Sequence, residues 1–176
     1  VVDADDLMDE VSALALSEVD KRYTTLSMIE KKRRAEFIGL SAIKFFLLRT
    51  DATRDIVFNP EESLSFEGET GPYLQYTHAR SCSILKKAGK VSGKVDHNLL
   101  KEESELKLVK LLTDFPHKVK EAGDHFKIHI LCRYLLDLAQ AFNEFYHTLP
   151  VISNDKELMK ARLVLVDCVR QVLANG

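Results

Sequence analysis

At 176 residues, with 45% hydrophobic content and a formal net charge of −2, the chain can bury about two-thirds of its unfolded surface, enough for one substantial core or two small ones. No run of about 20 apolar residues occurs, which argues against a helical membrane span, and the acidic start at Asp3, Asp5 and Asp6 is unlike a secretory signal peptide. The charge is unevenly spread: residues 1–70 hold 9 Lys and Arg against 15 Asp and Glu, whereas residues 71–176 hold 16 against 12, so the second part is the better partner for an anionic polymer.

The apolar spacing is helical almost throughout, and the chain is expected to be all-α. Asp5, or the nearby Asp3, can cap a first helix carrying Leu7, Met8, Val11, Leu14 and Leu16, with Asp6 and Asp9 in its opening turns. Ser27 can cap a second, longer helix in which Phe37, Ile38, Leu40, Ala42, Ile43, Phe45, Phe46 and Leu47 form a wide apolar surface; Gly39 suits a close helix contact. The run Lys31-Lys32-Arg33-Arg34 falls near the start of this helix, an unfavourable end for positive charge, and a solvated basic turn is expected there. Residues 51–60 break the period. Ile56-Val57-Phe58 is either a short extended piece or a buried connector, followed by a turn at Asn59-Pro60.

The segment Gly68-Glu69-Thr70-Gly71-Pro72-Tyr73-Leu74-Gln75-Tyr76-Thr77-His78-Ala79-Arg80 opens the next helix. Thr70 can cap it, and Pro72 is tolerated in the first turn, where its missing N–H costs nothing. Tyr73, Tyr76, Arg80, Ser83 and Lys87 then follow steps of three and four and make one stripe, with Leu74, Thr77, Ile84 and Leu85 beside it. Tyrosine rings stack on bases, and arginine and lysine attract phosphate, so the stripe suits a single-stranded nucleic-acid loop. A tyrosine pair at this spacing equally suits a packing edge.

That helix should end near Gly89, and residues 89–100 make a polar loop. An amphipathic helix follows over residues 103–112, with Pro116 beginning another short one. A long helix runs over about residues 126–149, with Ile130, Leu131, Tyr134, Leu135, Leu138, Ala141, Phe142 and Phe145 as its apolar set. The last, capped by Asn154, buries Leu158, Ala161, Leu165, Val169 and Val172. This second part reads as a bundle of four or five helices.

No constellation for covalent or metal chemistry stands out. His125, His129 and Cys132 have offsets of four and three and would share a face on one continuous helix, but no HExxH pattern accompanies them, and no metal site is assigned. The three cysteines, Cys82, Cys132 and Cys168, lie in apolar patterns without CxxC spacing, which favours buried, reduced thiols and a cytoplasmic setting. A GxSxG elbow and a GxxxxGK phosphate loop are absent. Glu61, Glu62, Glu67 and Glu69 serve surface and helix-dipole roles more simply than paired-acid chemistry.

The run Asp55-Ile56-Val57-Phe58-Asn59 through Phe66-Glu67-Gly68-Glu69-Thr70-Gly71-Pro72-Tyr73-Leu74-Gln75-Tyr76, then His78-Ala79-Arg80 and Ser83-Ile84-Leu85-Lys86-Lys87-Ala88, closely resembles arginyl-tRNA synthetases. Two later runs agree in order. Leu138-Ala139-Gln140-Ala141-Phe142-Asn143-Glu144-Phe145-Tyr146-His147 is similar to the central helix of that family's anticodon-binding domain, and Arg170-Gln171-Val172-Leu173-Ala174-Asn175-Gly176 is similar to its last long helix. Residues 1–10 resemble the stretch after the KMSKS-type loop of this class I family. The loop itself and the HIGH-type signature do not occur, so the chain looks like a C-terminal fragment, and a short Leu-rich continuation is expected beyond Gly176.

The resemblance implies that residues 1–68 are the remainder of the catalytic domain and that residues 69–176 are a helical anticodon-binding domain. It implies a role in protein biosynthesis: the full enzyme joins arginine to its tRNA using ATP with magnesium, while this fragment holds no catalytic residue, metal or cofactor of its own. It is expected to be cytoplasmic, monomeric and inactive alone. By matching position, Tyr73, Tyr76 and Arg80 are candidate contacts to arginine tRNA, with Lys87 on the same stripe and Tyr146 on the central helix. Gln75 is expected to help structurally. The family's pattern departs at Asp124-His125-Phe126-Lys127-Ile128-His129, so the entry to the long helix is expected to differ. A helical protein-interaction module without RNA binding is the alternative.

Overall fold

Short polar side chains start the first three helices. In a computed structural model, which describes residues 3–89 and 93–176, Asp3 Oδ1 accepts from the Asp5 N–H (3.1 Å) and opens α1, Ala4–Arg22. Ser27 Oγ accepts from the Glu30 N–H (3.3 Å) and opens α2, Met28–Leu48. Asn59 Oδ1 accepts from the Glu62 N–H (3.2 Å) ahead of α3, Pro60–Ser63, with the proline in its first turn, where no N–H is needed. The remaining helices are α4, Gly71–Ala88, α5, Glu103–His125, α6, Ile128–Thr148, and α7, Lys156–Asn175, with one 3₁₀ turn at His97–Leu99. The regular structure among the described residues is therefore all-α.

The chain divides into two compact units, Val1–Tyr73 and Leu74–Gly176, so the division falls inside α4, just past its first residues. In the first unit, Val11, Ala15 and Val19 of α1 meet Ala35, Ala42 and Ile43 of α2, with Leu64 closing the cluster. Gly39 is buried at this seam: a Cβ there would lie 3.3 Å from Ser12, the close approach its sequence position suggests. Phe37, Leu40 and Leu47 fall outside the seam and are exposed, so the apolar face of α2 is narrower than expected. Lys31 is a second correction. It is buried, with Nζ 2.6 Å from Asp20 Oδ1, and so belongs to the unit's internal packing rather than to a solvated basic turn. Residues 56–58 form a connector without strand pairing, in which Phe58 packs edge-on against Phe46 (4.9 Å) and Val57 faces outward.

The second unit is a four-helix bundle. Its core joins Ile84 of α4 and Leu108 of α5 to Leu138, Phe142 and Phe145 of α6 and Leu163, Val166 and Val169 of α7. α5 runs unbroken through Pro116, where a new short helix was expected. The proline removes one backbone bond, but it sits on the exposed side while Leu112, Phe115 and Ala122 pack inward, and that burial holds the helix together. Asp155, not Asn154, caps α7: its Oδ1 accepts from the N–H groups of Glu157 (3.1 Å) and Leu158 (3.0 Å).

α5 gives way to α6 at Phe126, which takes the left-handed conformation (φ 55°, ψ 38°). The Phe126 N–H donates to the Gly123 carbonyl (3.3 Å) and the Lys127 N–H to the Ala122 carbonyl (2.9 Å), the bond pattern of a Schellman turn. His125 and His129 thus stand on two different helices, which removes the continuous face that a His125–His129–Cys132 metal set required. Cys132 is buried, and burial pushes its thiol up to about 11. Cys82 is half-buried, but Cys168 is exposed, because it lies off the inward stripe of Ala161, Leu165 and Val169. Of the polar loop read over residues 89–100, residues 90–92 lie outside the described residues.

Candidate nucleic-acid interface

Two features place the start of α4. Thr70, almost fully buried, accepts the Tyr73 N–H at Oγ1 (3.1 Å) while its hydroxyl donates to the Ser65 carbonyl (2.5 Å). Gly71 is required next to it, because a Cβ would come within 2.6 Å of the Ser41 carbonyl oxygen. Pro72 is buried in the first turn. At its far end the helix stops at Gly89, whose φ of 77° suits a residue without a side chain.

From that start, α4 and α6 build a groove inside the second unit. Arg80 is its centre. The guanidinium carbon lies 4.8 Å from the centroid of the Tyr76 ring and 5.5 Å from that of Tyr146, so the cation stands against two aromatic rings. Nη2 donates to the Tyr76 hydroxyl (2.7 Å) and Nη1 to Asn143 Oδ1 (3.1 Å). Tyr146 is in turn stacked near Phe142, with centroids 6.4 Å apart and planes 17° apart, which ties the ring to the core. Both tyrosines remain accessible: Tyr76 is 44% exposed and Tyr146 is 39% exposed. A cavity of about 340 Å³ opens beside them, lined by Arg80, Ser83, Ile84, Lys87, Tyr146 and the loop residues Leu149–Ile152.

Four of the five site residues read from the sequence therefore meet at one place: Tyr76, Arg80, Lys87 and Tyr146. Tyr73, one turn earlier on the same helix, is half-buried and closes the first unit. Gln75 is exposed and does not line the groove. Two contributors escaped the sequence reading: Asn143, and the loop wall formed by Pro150, Val151 and Ile152. Asn143 carries no pattern that sets it apart in the sequence, since Gln140 stands three residues before it on the same helix.

The histidine nearest this surface on α4 is His78, and its pKa is lowered, first by burial and then by the charge of Arg170. Its ring nitrogens lie 3.8 and 4.0 Å from Cys82 Sγ. No group of three or more His, Cys, Asp or Glu is arranged to hold a metal ion, and no helix is long and apolar enough to cross a membrane, among the described residues.

A helical bundle with an aromatic and cationic groove defines a class of binding domain, and the family match is specific: the chain belongs to the DALR anticodon-binding domain family, whose model matches residues 74–176. Over 99% of its length it is 41% identical to the arginine–tRNA ligase of Methanosarcina mazei, and over its full length 42% identical to that of Clostridium botulinum. It spans about a third of the length of these curated relatives, 32% and 31% respectively. The solved arginyl-tRNA synthetase of Thermus thermophilus superposes on the whole chain with a TM-score of 0.91 at 35% identity, the chain covering 30% of that structure.

Proposed function

We propose that this chain recognises the anticodon loop and stem of arginine tRNA as part of an arginyl-tRNA synthetase, which joins arginine to its tRNA using ATP. The observation that carries the proposal is Arg80, fixed between the rings of Tyr76 and Tyr146 at the mouth of a groove that also holds Lys87. Both rings are partly exposed and offer contact to unpaired bases, and the two cations offer phosphate attraction on the same side. Tyr73 extends the stripe by one turn. Residues 69–176 act as the anticodon-binding domain and residues 1–68 as the remainder of the catalytic domain. Arginine, ATP and magnesium belong to the larger part of the relatives that this chain does not span, so the chain alone binds tRNA without charging it. The setting is cytoplasmic and the chain acts as a monomer.

The test is binding of an arginine tRNA transcript at about 50 mM and about 200 mM salt, because phosphate contacts release counterions and weaken as salt rises. We expect measurable binding that falls steeply with salt and is weaker for a tRNA with another anticodon. Absence of binding at the lower salt concentration would refute the proposal and favour a protein-interaction role.

A further inference from the structure

Arg80 is a long side chain that loses rotamer freedom when fixed, and its own helix holds it at Tyr76. The second support comes from α6. Asn143 Oδ1 accepts from Arg80 Nη1 (3.1 Å), and Asn143 Nδ2 donates to Thr77 Oγ1 (3.4 Å). Arginine has donors only, so the amide oxygen must face it, and the amide nitrogen is thereby turned toward Thr77, which is fully buried. Asn143 and Tyr146 lie three residues apart on α6 and thus present an acceptor and a ring to the same guanidinium. From this geometry we infer that Asn143 is a positioning residue for RNA recognition: it fixes the Arg80 guanidinium between Tyr76 and Tyr146 without neutralising its charge.

The amide is the side chain that meets both requirements. An aspartate would hold Arg80 as well but would cancel the charge that a phosphate needs, and a leucine would remove the hold. Two of the five Arg80 N–H groups are used by Tyr76 and Asn143, which leaves the others to an anionic ligand at the groove. A hydrogen-bonded amide holds a cation in place at no electrostatic cost to the next anion.

The inference rests on the proposed tRNA reading, and its experiment separates the two. Binding of an arginine tRNA anticodon stem–loop is measured for the wild-type chain, Asn143→Ala, Asn143→Asp, Arg80→Ala and the Arg80→Ala/Asn143→Ala double variant, each checked for folding by melting temperature. We expect Asn143→Ala to weaken binding about tenfold and the double variant to match Arg80→Ala within about twofold, because the two side chains act through one contact. Asn143→Asp should also weaken binding and lower the salt slope by about one; it keeps the acceptor and carries the test if the alanine variant does not fold. Without RNA, the ring-shifted Arg80 Nε–H resonance in the wild type should move toward that of a free arginine in Asn143→Ala and stay near its place in Asn143→Asp. Losses that multiply in the double variant, or an alanine variant that binds as the wild type does, would overturn the assignment while leaving tRNA binding intact. A wild-type chain that binds no stem–loop removes the proposed function and this inference with it.

Discussion

The buried pair Glu105–Arg162 should dominate the stability of the second unit, and Glu105→Gln tests this with almost no change of volume. Glu105 is 0% exposed and Arg162 is 5% exposed. Oε2 accepts the backbone N–H groups of Lys101 (2.8 Å) and Glu102 (2.9 Å), which closes the start of α5, and Oε1 accepts from Arg162 Nε (2.7 Å) on α7. Glutamine offers one oxygen for these three donors and aims an NH₂ at one of them, and it leaves the guanidinium buried without a counter-charge. Removing one partner of such a pair costs about 3–5 kcal/mol. With a urea slope of about 2 kcal/mol/M, the unfolding midpoint should fall by about 2 M. Far-ultraviolet circular dichroism reports the helices, and tyrosine emission, to which buried Tyr134 contributes among five tyrosines, gives a second readout in a chain without tryptophan. The companion variant Glu105→Leu/Arg162→Met removes both charges and should lose only about 1–3 kcal/mol, chiefly the two N–H groups at the start of α5. A loss below about 1 kcal/mol for Glu105→Gln, or a double variant that loses as much as Glu105→Leu and Arg162→Met do together when made singly, would show that the pair is not the contact described here.

Three further outcomes are expected. Phe126 is 92% exposed and left-handed, so its side chain adds strain without burial; Phe126→Gly should raise stability by about 1 kcal/mol, read as a higher melting temperature. The lowered pKa of His78 means that the unfolded chain takes up a proton before the folded one does, so stability is lost as pH falls below about 6.5; melting temperatures between about pH 7.5 and pH 5 should decline less in His78→Gln. Tyr76→Ala and Tyr146→Ala should each weaken tRNA binding by about 1–3 kcal/mol in folded protein, and unchanged affinity in both would remove base stacking from the groove.

What the sequence made legible was local hydrogen-bond chemistry and helical period. Asp3, Ser27 and Thr70 could be read as caps because each bonds a backbone N–H two or three residues along, and Gly89 as a stop because its conformation favours glycine. The Tyr76–Arg80–Lys87 stripe was legible for the same reason, since one helix carries it. Partners from elsewhere in the chain were not. Lys31 looked solvated because its carboxylate, Asp20, sits eleven residues earlier on another helix. Asn143 carries no helical pattern of its own, and Tyr146 entered only through family resemblance. Pro116 and Phe126 misled in opposite directions: packing carried a helix through a residue that breaks helices, and a turn that favours glycine formed on a phenylalanine.

The buried pair and the groove are joined at a single proline. α6 ends at Thr148 and α7 begins at Lys156, and the loop between them supplies Leu149–Ile152 to the groove wall. Pro150 has no N–H, so its carbonyl is the one backbone group by which it can be held. Arg162 Nη1 donates to that carbonyl (2.8 Å) while its Nε donates to Glu105. Val151 is then buried and Ile152 left outward beside Tyr146, which gives the groove an apolar edge opposite its cations. A planar guanidinium reaches both acceptors from one side chain; a lysine, with a single nitrogen, cannot hold the same two in that geometry. Arg162 therefore sets the shape of the wall through the contact that stabilises the bundle, and a buried arginine on α7 helps to define the surface that the groove offers.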